Sequence, residues 1–94
     1  MFVVIVEVKL DPDRMAEVRH FLSDVIAPRA REFPGFQAGH WLRSLDSDAG
    51  RSLLFFESED AARASANEIQ THGVPEGMPT ILEGVETFEV LVQA

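Results

Sequence analysis

The sequence contains no cysteine and no tyrosine, and its basic side chains are few. Without cysteine the chain has no disulfide framework, no thiol nucleophile and no thiolate-ligated metal. Without tyrosine it lacks one common acid or radical-relay residue. Sixteen acidic against eight basic side chains give a formal net charge of -8, which repels nucleic-acid phosphates and anionic lipid surfaces. We therefore expect neither nucleic acid nor a membrane as a partner.

Short motifs for metals and phosphates are also absent. The three histidines, His20, His40 and His72, lie too far apart in sequence to form a His-x-His or His-x-x-x-His pair. There is no glycine-rich phosphate loop and no nucleophile elbow. The apolar N-terminal segment reaches Glu7 and Lys9 too early for a signal peptide or a membrane span. The sequence thus predicts no metal site and a cytoplasmic location.

What the chain does have is a patterning typical of one small α+β domain covering residues 1–94. Helical spacing of apolar residues predicts two helices, and Pro28 predicts a kink or break near the end of the first. The order β-α-β-β-α-β with right-handed crossovers predicts a ferredoxin-like fold, a four-stranded antiparallel sheet with both helices on one face. The predicted strands are 2–10, 36–45, 51–57 and 81–93, and the predicted helices are 11–31 and 58–72.

The helix-free face of the predicted sheet is unusually apolar. Val3 and Ile5 on the first strand and Leu53 and Phe55 on the third all point to it. A chain of 94 residues buries only about 60–65% of its unfolded surface, and an exposed apolar patch of this size needs a partner. We expect two copies to pack these faces together in a homodimer.

Four stretches of the chain carry a resemblance to a known family. They are VVIVEVKLDPDRMAEVRHFL at the start, FPGF before the second strand, LLFFESEDAARA from the third strand into the second helix, and the closing VETFEVLV. Together they resemble the dimeric α+β barrel superfamily, and within it the antibiotic biosynthesis monooxygenase-like domains. The resemblance implies a homodimer whose two sheets form a barrel, with a small-molecule pocket between sheet and helices. Members oxidise polycyclic aromatics without metal or flavin, degrade haem, isomerise substrates or have no known activity, because fold does not fix function.

Residues that line such a pocket must point to the helix-covered face of the sheet. Val6, Phe56 and, from the first helix, Phe21 are predicted there. If Phe36 also packs under that helix, strand alternation places His40 beside it. His40 is then the candidate general base, because the pKa of imidazole lies near working pH. The alternative is a half-buried histidine with a backbone or water partner.

The same register turns Trp41 and Arg43 toward the dimer side, together with Glu7 and Phe55. Trp41 is predicted to anchor the interface or to stack on an aromatic ligand. Arg43 is predicted to pair with a glutamate across the sheet, such as Glu7, or to clamp a ligand carboxylate. A bulge at Gly39 would exchange the two sets of side chains.

The haem-degrading branch of the family uses an Asn on strand one, a Trp at the end of strand three and a His on the second helix. The matching positions here are Val6 and Phe56, and no histidine lies between residues 59 and 71, which argues against haem degradation. The quinone-forming members use Asn, Trp and Arg around the pocket. Only Trp41 and Arg43 resemble these, and both lie on strand two.

The sequence therefore favours a homodimer that binds a small apolar or aromatic molecule and uses no cofactor. If it is an enzyme, it is a cofactor-independent monooxygenase or isomerase with His40 as base. The alternative is a non-catalytic ligand-binding or assembly dimer of the same fold.

Overall fold

The strands of the chain form one antiparallel sheet in the order β2-β3-β1-β4. The computed structural model describes all 94 residues. The strands are β1 (Phe2–Leu10), β2 (Phe36–Arg43), β3 (Ala49–Phe56) and β4 (Thr80–Glu89); the helical elements are a 3-10 turn (Pro12–Arg14), α1 (Met15–Phe21), a π-helical turn (Leu22–Ile26), α2 (Ala27–Arg31) and α3 (Glu59–His72). The strand order and the helices on one face are those of the ferredoxin-like α+β fold, so the predicted fold is confirmed.

The first helical region departs from a regular helix where the sequence predicted it would. Asp11 caps its start, with Oδ1 accepting a hydrogen bond of 3.0 Å from the backbone N–H of Asp13. Pro28 has no N–H to donate and its ring clashes with a carbonyl one turn earlier in an α-helix. The chain widens into the π-helical turn just before it, where the N–H of Ala27 donates to the carbonyl of Leu22. The predicted kink at Pro28 thus takes the form of one wide turn, after which α2 continues to Arg31.

The second predicted helix corresponds to α3, which begins one residue later than predicted, at Glu59, and ends at the predicted His72. The Ser58 hydroxyl accepts a 3.2 Å hydrogen bond from the N–H of Ala61, which satisfies one of the free donors of the first turn. Gly73 closes the helix with φ 67°, a conformation that favours glycine. None of the helices in the chain combines the length and apolar character that a membrane crossing needs.

The core lies between the sheet and the helices. Its buried side chains come from β1, β3, α2 and α3 and are Val4, Val6, Ala30, Leu54, Phe56 and Ala62. The rings of Phe33 and Phe36 pack on that of Phe56, with centroids 6.4 Å and 5.9 Å apart. α2 packs against β2, and α3 against β1, β3 and β4, whereas α1 approaches the sheet at few points. The space between α1 and the sheet is therefore not filled by core side chains.

The register of β2 differs from the predicted one because of a bulge at Gln37. Phe36 pairs with Phe56, but Ala38 already pairs with Phe55, so β2 contains one residue more than its partner. A β-bulge shifts the alternation of every side chain that follows it. From Gly39 onward, the odd-numbered residues of β2 face the helices and the even-numbered residues face away.

Strand ends also differ from the predicted ones. β2 ends at Arg43 and β3 already begins at Ala49, so the connecting loop is residues 44–48. β4 stops at Glu89, and residues 90–94 are not part of the sheet. The predicted strand end at residue 93 is therefore wrong. The apolar Leu91 and Val92 are 84% and 87% exposed, which means that nothing within the chain pairs with or covers them.

Candidate functional site

A cavity of about 540 Å³ lies between the helix-covered face of the sheet, α1 and the end of α3. It occupies the space that α1 leaves by standing off the sheet. Sixteen of the 27 residues that line it are hydrophobic. The floor is formed by Val6, Val8, Leu10, Trp41, Leu54 and Leu82, and the walls by Met15, Val18, Leu22, Ile26, Ala30, Ile69, Val74, Pro75 and Met78. The cavity is partly open to solvent, and a concave surface of this composition is typical of a site for a small, largely apolar molecule.

Trp41 lies on the floor of this cavity and packs against the core. The bulge at Gln37 puts it there, because its partner Ser52 on β3 faces the helices. The prediction that Trp41 and Arg43 lie on the dimer side is wrong: both line the cavity. Gly39 makes room for the indole, since a Cβ at that position would lie 2.8 Å from Cη2 of Trp41.

His40 lies on the opposite face, away from the cavity. It pairs with Leu53, and its ring meets the ring of Phe55 edge-on with centroids 6.3 Å apart. The predicted placement of His40 beside Phe36 in the pocket is therefore wrong, for the same reason of register. With this placement, the imidazole cannot act as a base on a molecule held in the cavity.

Of the four predicted pocket residues, only Val6 lines the cavity. Phe56 is fully buried, and Phe36 packs on its ring, so both belong to the core. Phe21 is half-buried and lies outside the lining, near the loop that contains Gly77. None of the three phenylalanines predicted for the pocket therefore lines the cavity.

Glu7 and Phe55 lie on the helix-free face, where the sequence analysis placed them. Oε1 of Glu7 is 3.7 Å from Nε of Arg51 on the neighbouring strand. The predicted pairing of Arg43 with a glutamate is not seen, because Glu7 pairs with Arg51 instead and Arg43 forms no ion pair. A shallow groove on this face is lined by Ile5, Glu7, Arg51, Leu53, Gly84, Val85, Glu86 and Phe88.

One histidine at the cavity was not predicted as a site residue. It is His72, the last residue of α3, which lies one residue beyond the segment 59–71. His72 and Glu68 both line the cavity, with Nε2 of the imidazole 3.3 Å from Oε1 of the carboxylate. Their i,i+4 spacing on a predicted helix was the available signal. His72 is the only histidine among the lining residues.

Few other polar groups border the cavity. Ser52 and Thr80 present hydroxyls, and Oγ1 of Thr80 is buried with no hydrogen-bond partner in the chain. Arg19, Arg29, Arg43 and Arg51 lie at its edge. No three His, Asp or Glu side chains in the chain come close enough together to hold a metal ion.

Comparison with known proteins agrees with this architecture. A family model described as antibiotic biosynthesis monooxygenase matches residues 1–71. No curated protein is significantly similar to the chain in sequence.

Several solved structures share the fold. The haem-degrader MhuD from Mycobacterium tuberculosis, with two haems bound in its active site, is 22% identical with a TM-score of 0.74, over 100% of this chain and 99% of that one. The monooxygenase from the ActVA-Orf6 gene of Streptomyces coelicolor, in complex with Nanaomycin D, is 20% identical with a TM-score of 0.59, over 99% and 92%. HapK from Hahella chejuensis is 12% identical with a TM-score of 0.68, over 100% and 96%. At these identities the likeness establishes the fold.

Proposed function

The chain belongs to the antibiotic biosynthesis monooxygenase family, and we propose that it binds a small aromatic or polyketide-type molecule in the cavity beside Trp41. The observation that carries this proposal is the cavity itself, about 540 Å³ with a mostly hydrophobic lining and an indole on its floor. Aromatic faces stack favourably on an indole, and the apolar walls favour a molecule that leaves water. The match over residues 1–71 supports the same class of ligand.

The reaction we propose is oxidation of a phenolic or enolic ring by dioxygen without a cofactor. A base removes the hydroxyl proton, and the resulting anion transfers electrons to dioxygen. One oxygen atom becomes a new ring carbonyl, which gives a quinone, and the other leaves as water. The substrate loses four electrons and dioxygen gains four, so no external reductant takes part.

His72 is the residue we propose as the base. The carboxylate of Glu68 lies beside the ring, with Oε1 3.3 Å from Nε2. A carboxylate this close to an imidazole stabilises the imidazolium that forms when the ring accepts a proton. The same pair would serve an isomerase, which needs the proton transfer but not dioxygen.

A non-catalytic ligand-binding dimer is the second candidate. It is favoured by the exposure of the His72 side chain, which is 70%, since a base in open contact with water gains little from its surroundings. The two candidates share the cavity and differ in turnover.

Haem is a further ligand to consider, because the haem-degrader MhuD shares the fold. Of the three positions that the haem-degrading branch uses, only the histidine on the second helix has a counterpart here, His72. Val6 is aliphatic, and Phe56 is fully buried and cannot touch a molecule in the cavity. The residues present therefore do not fit that set.

The homodimer is also a proposal, and the helix-free face of the sheet supports it. Ile5, Leu53 and Phe55 are half-buried on this face, and Phe88 beside them is 39% exposed. Only 11 of the 94 residues are buried in the single chain. A second copy of this face would cover the surface with matching shape and chemistry.

The test uses anthrone as a polycyclic probe and measures dioxygen consumption and quinone absorbance above the rate without protein. We expect one dioxygen consumed per quinone formed. His72→Asn should lower kcat about 100-fold or more, the usual contribution of a general base. His20→Asn is the matched control, because His20 also pairs with a carboxylate four residues on, Asp24, but does not line the cavity; it should keep full activity.

Each outcome decides between the candidates. Binding of anthrone without dioxygen consumption would overturn the proposed oxidation and leave the isomerase and the non-catalytic binding protein. Full activity of His72→Asn would show that another group is the base. A Soret shift on adding haem that is lost in His72→Asn would replace the proposal with haem binding.

A further inference from the structure

The charges around the cavity are opposite in sign to the charge of the whole protein. The chain has eight Lys and Arg side chains and sixteen Asp and Glu side chains. Four of the eight basic side chains line the cavity, Arg19, Arg29, Arg43 and Arg51, and only one of the sixteen acidic ones does, Glu68. An acidic protein thus surrounds its one large apolar cavity with positive charge.

Three of these arginines have no partner within the chain. Arg51 is held by Glu7, and Glu68 is held by His72. Arg19, Arg29 and Arg43 form no ion pair, and they donate no side-chain hydrogen bond. Elsewhere on the surface, Arg14 pairs with Glu17 three residues on and Arg63 pairs with Glu59 on α3. Of the four arginines without an ion pair or side-chain hydrogen bond, three line the cavity and only Arg31 does not.

The three arginines come from three different elements. Arg19 lies on α1, Arg29 on α2 and Arg43 at the end of β2. Residues on separate elements converge on one cavity only through the fold, so the arrangement is not a repeat along one helix. A guanidinium group presents paired N–H donors in a plane that matches a carboxylate, and such charge-assisted pairs are stronger than neutral hydrogen bonds.

We infer that the ligand of this cavity is an amphiphilic acid, an apolar ring system that carries a carboxylate. Its ring system lies on Trp41 among the apolar walls, and its carboxylate remains at the rim against the unpaired arginines. This inference rests on the proposed function, because it assumes that the cavity is the binding site, and it adds the chemical class of the ligand.

The test compares two probes that differ only in charge, 2-naphthoate and 2-naphthamide, by equilibrium dialysis at low ionic strength. We expect the protein to bind 2-naphthoate about tenfold more tightly, the effect of a hydrogen bond to a charged group. At about 1 M salt the preference should fall, because the Debye length shrinks from ~10 Å at 0.1 M to ~3 Å.

Single substitutions test whether the unpaired arginines at the cavity cause the preference for 2-naphthoate. Arg19→Gln, Arg29→Gln and Arg43→Gln should each reduce the preference for 2-naphthoate and leave binding of 2-naphthamide unchanged. Arg63→Gln is the matched control: it changes the net charge by the same amount, but Arg63 pairs with Glu59 and lies outside the cavity. It should leave both affinities unchanged.

The results distinguish failure of the proposed binding site from failure of the inferred ligand class. If neither probe binds, the proposed function falls and the inference falls with it. If both bind equally, the cavity is the binding site and the inference alone is overturned. If the preference persists in all three rim variants, the arginines do not recognise the carboxylate and the inference is overturned.

Discussion

The indole of Trp41 lies directly over the backbone of Gly39. A Cβ at residue 39 would be 2.8 Å from Cη2 of Trp41 and 3.1 Å from Cζ of Phe36. The two residues point to the same face of β2, because they lie two positions apart beyond the bulge. The glycine therefore fixes where the floor of the cavity lies.

Gly39→Ala should destabilise the protein by about 1–3 kcal/mol, the usual cost of inserting a methyl group into a packed site. It should also shift the fluorescence emission of the single tryptophan, because the ring must move toward the cavity. Gly84→Ala is the control, since the nearest atom to its Cβ would be Oε2 of Glu7 at an ordinary 3.6 Å. Urea unfolding and emission spectra measure both; equal stability of the two variants would contradict the contact.

Phe55→Arg should convert a dimer into a monomer. A charge in the middle of the apolar face would be buried without a partner on association, which costs more than the dimer gains. Sedimentation at micromolar concentration should show twice the 10.5 kDa chain mass for the unchanged protein and 10.5 kDa for the variant. Leu45→Arg, at a loop residue that is 97% exposed, should remain dimeric. An unchanged protein that sediments as a monomer would contradict the proposal.

Ser58→Ala should lower the free energy of unfolding by about 1 kcal/mol, because the first turn of α3 loses its cap. Ser58→Asp should retain most of the stability, since a carboxylate accepts the same hydrogen bond from Ala61 and interacts favourably with the helix N-terminus. Thermal unfolding followed by circular dichroism compares the three proteins. Equal stability of the alanine and aspartate variants would show that the cap contributes nothing.

The Arg14–Glu17 pair on the surface predicts a small dependence of stability on pH. A hydrogen bond from Arg14 is the largest cause that holds the pKa of Glu17 below its ordinary value. Since the pKa is lower in the folded than in the unfolded chain, the pair stabilises the fold above the unfolded pKa and ceases to do so as pH falls through the folded pKa.

In an NMR titration, Arg14→Gln should raise the pKa of Glu17 to its ordinary value. The stability difference between this variant and the unchanged protein should vanish in acid. Arg63→Gln should leave the titration of Glu17 unaltered, and an unaltered curve in Arg14→Gln would refute the assignment.

The order of elements and the fold could be predicted because each element has an independent local signal. Ser58 and Gly73 mark the ends of α3, and Pro28 marks the disturbed turn in the first helical region. The β-branched, mostly apolar residues of β1 alternate over nine positions, and one of the two sets, from Phe2 to Leu10, is apolar throughout. These signals depend on neighbouring residues alone, and no distant contact overrides them.

The orientation of β2 could not be predicted, because both of its faces carry apolar side chains. Alternation from Phe36 turns Ala38 and Leu42 toward the helices, whereas in the structure the half-buried Trp41 packs there, and the sequence pattern is compatible with either. The choice is made by packing against Ser52 and Leu54 on β3, which is a long-range interaction. Because the bulge shifts the alternation of β2 by one residue, His40 and Trp41 lie on the faces predicted for each other.

The bulge at Gln37 has a consequence for how sites of this kind can diverge. Loss of a single codon at this position would restore simple pairing and rotate the rest of β2 by half a turn. His40 would then line the cavity, and Trp41 and Arg43 would join the helix-free face. One deletion could thus exchange an aromatic, cationic floor for an imidazole while the sheet order stays the same.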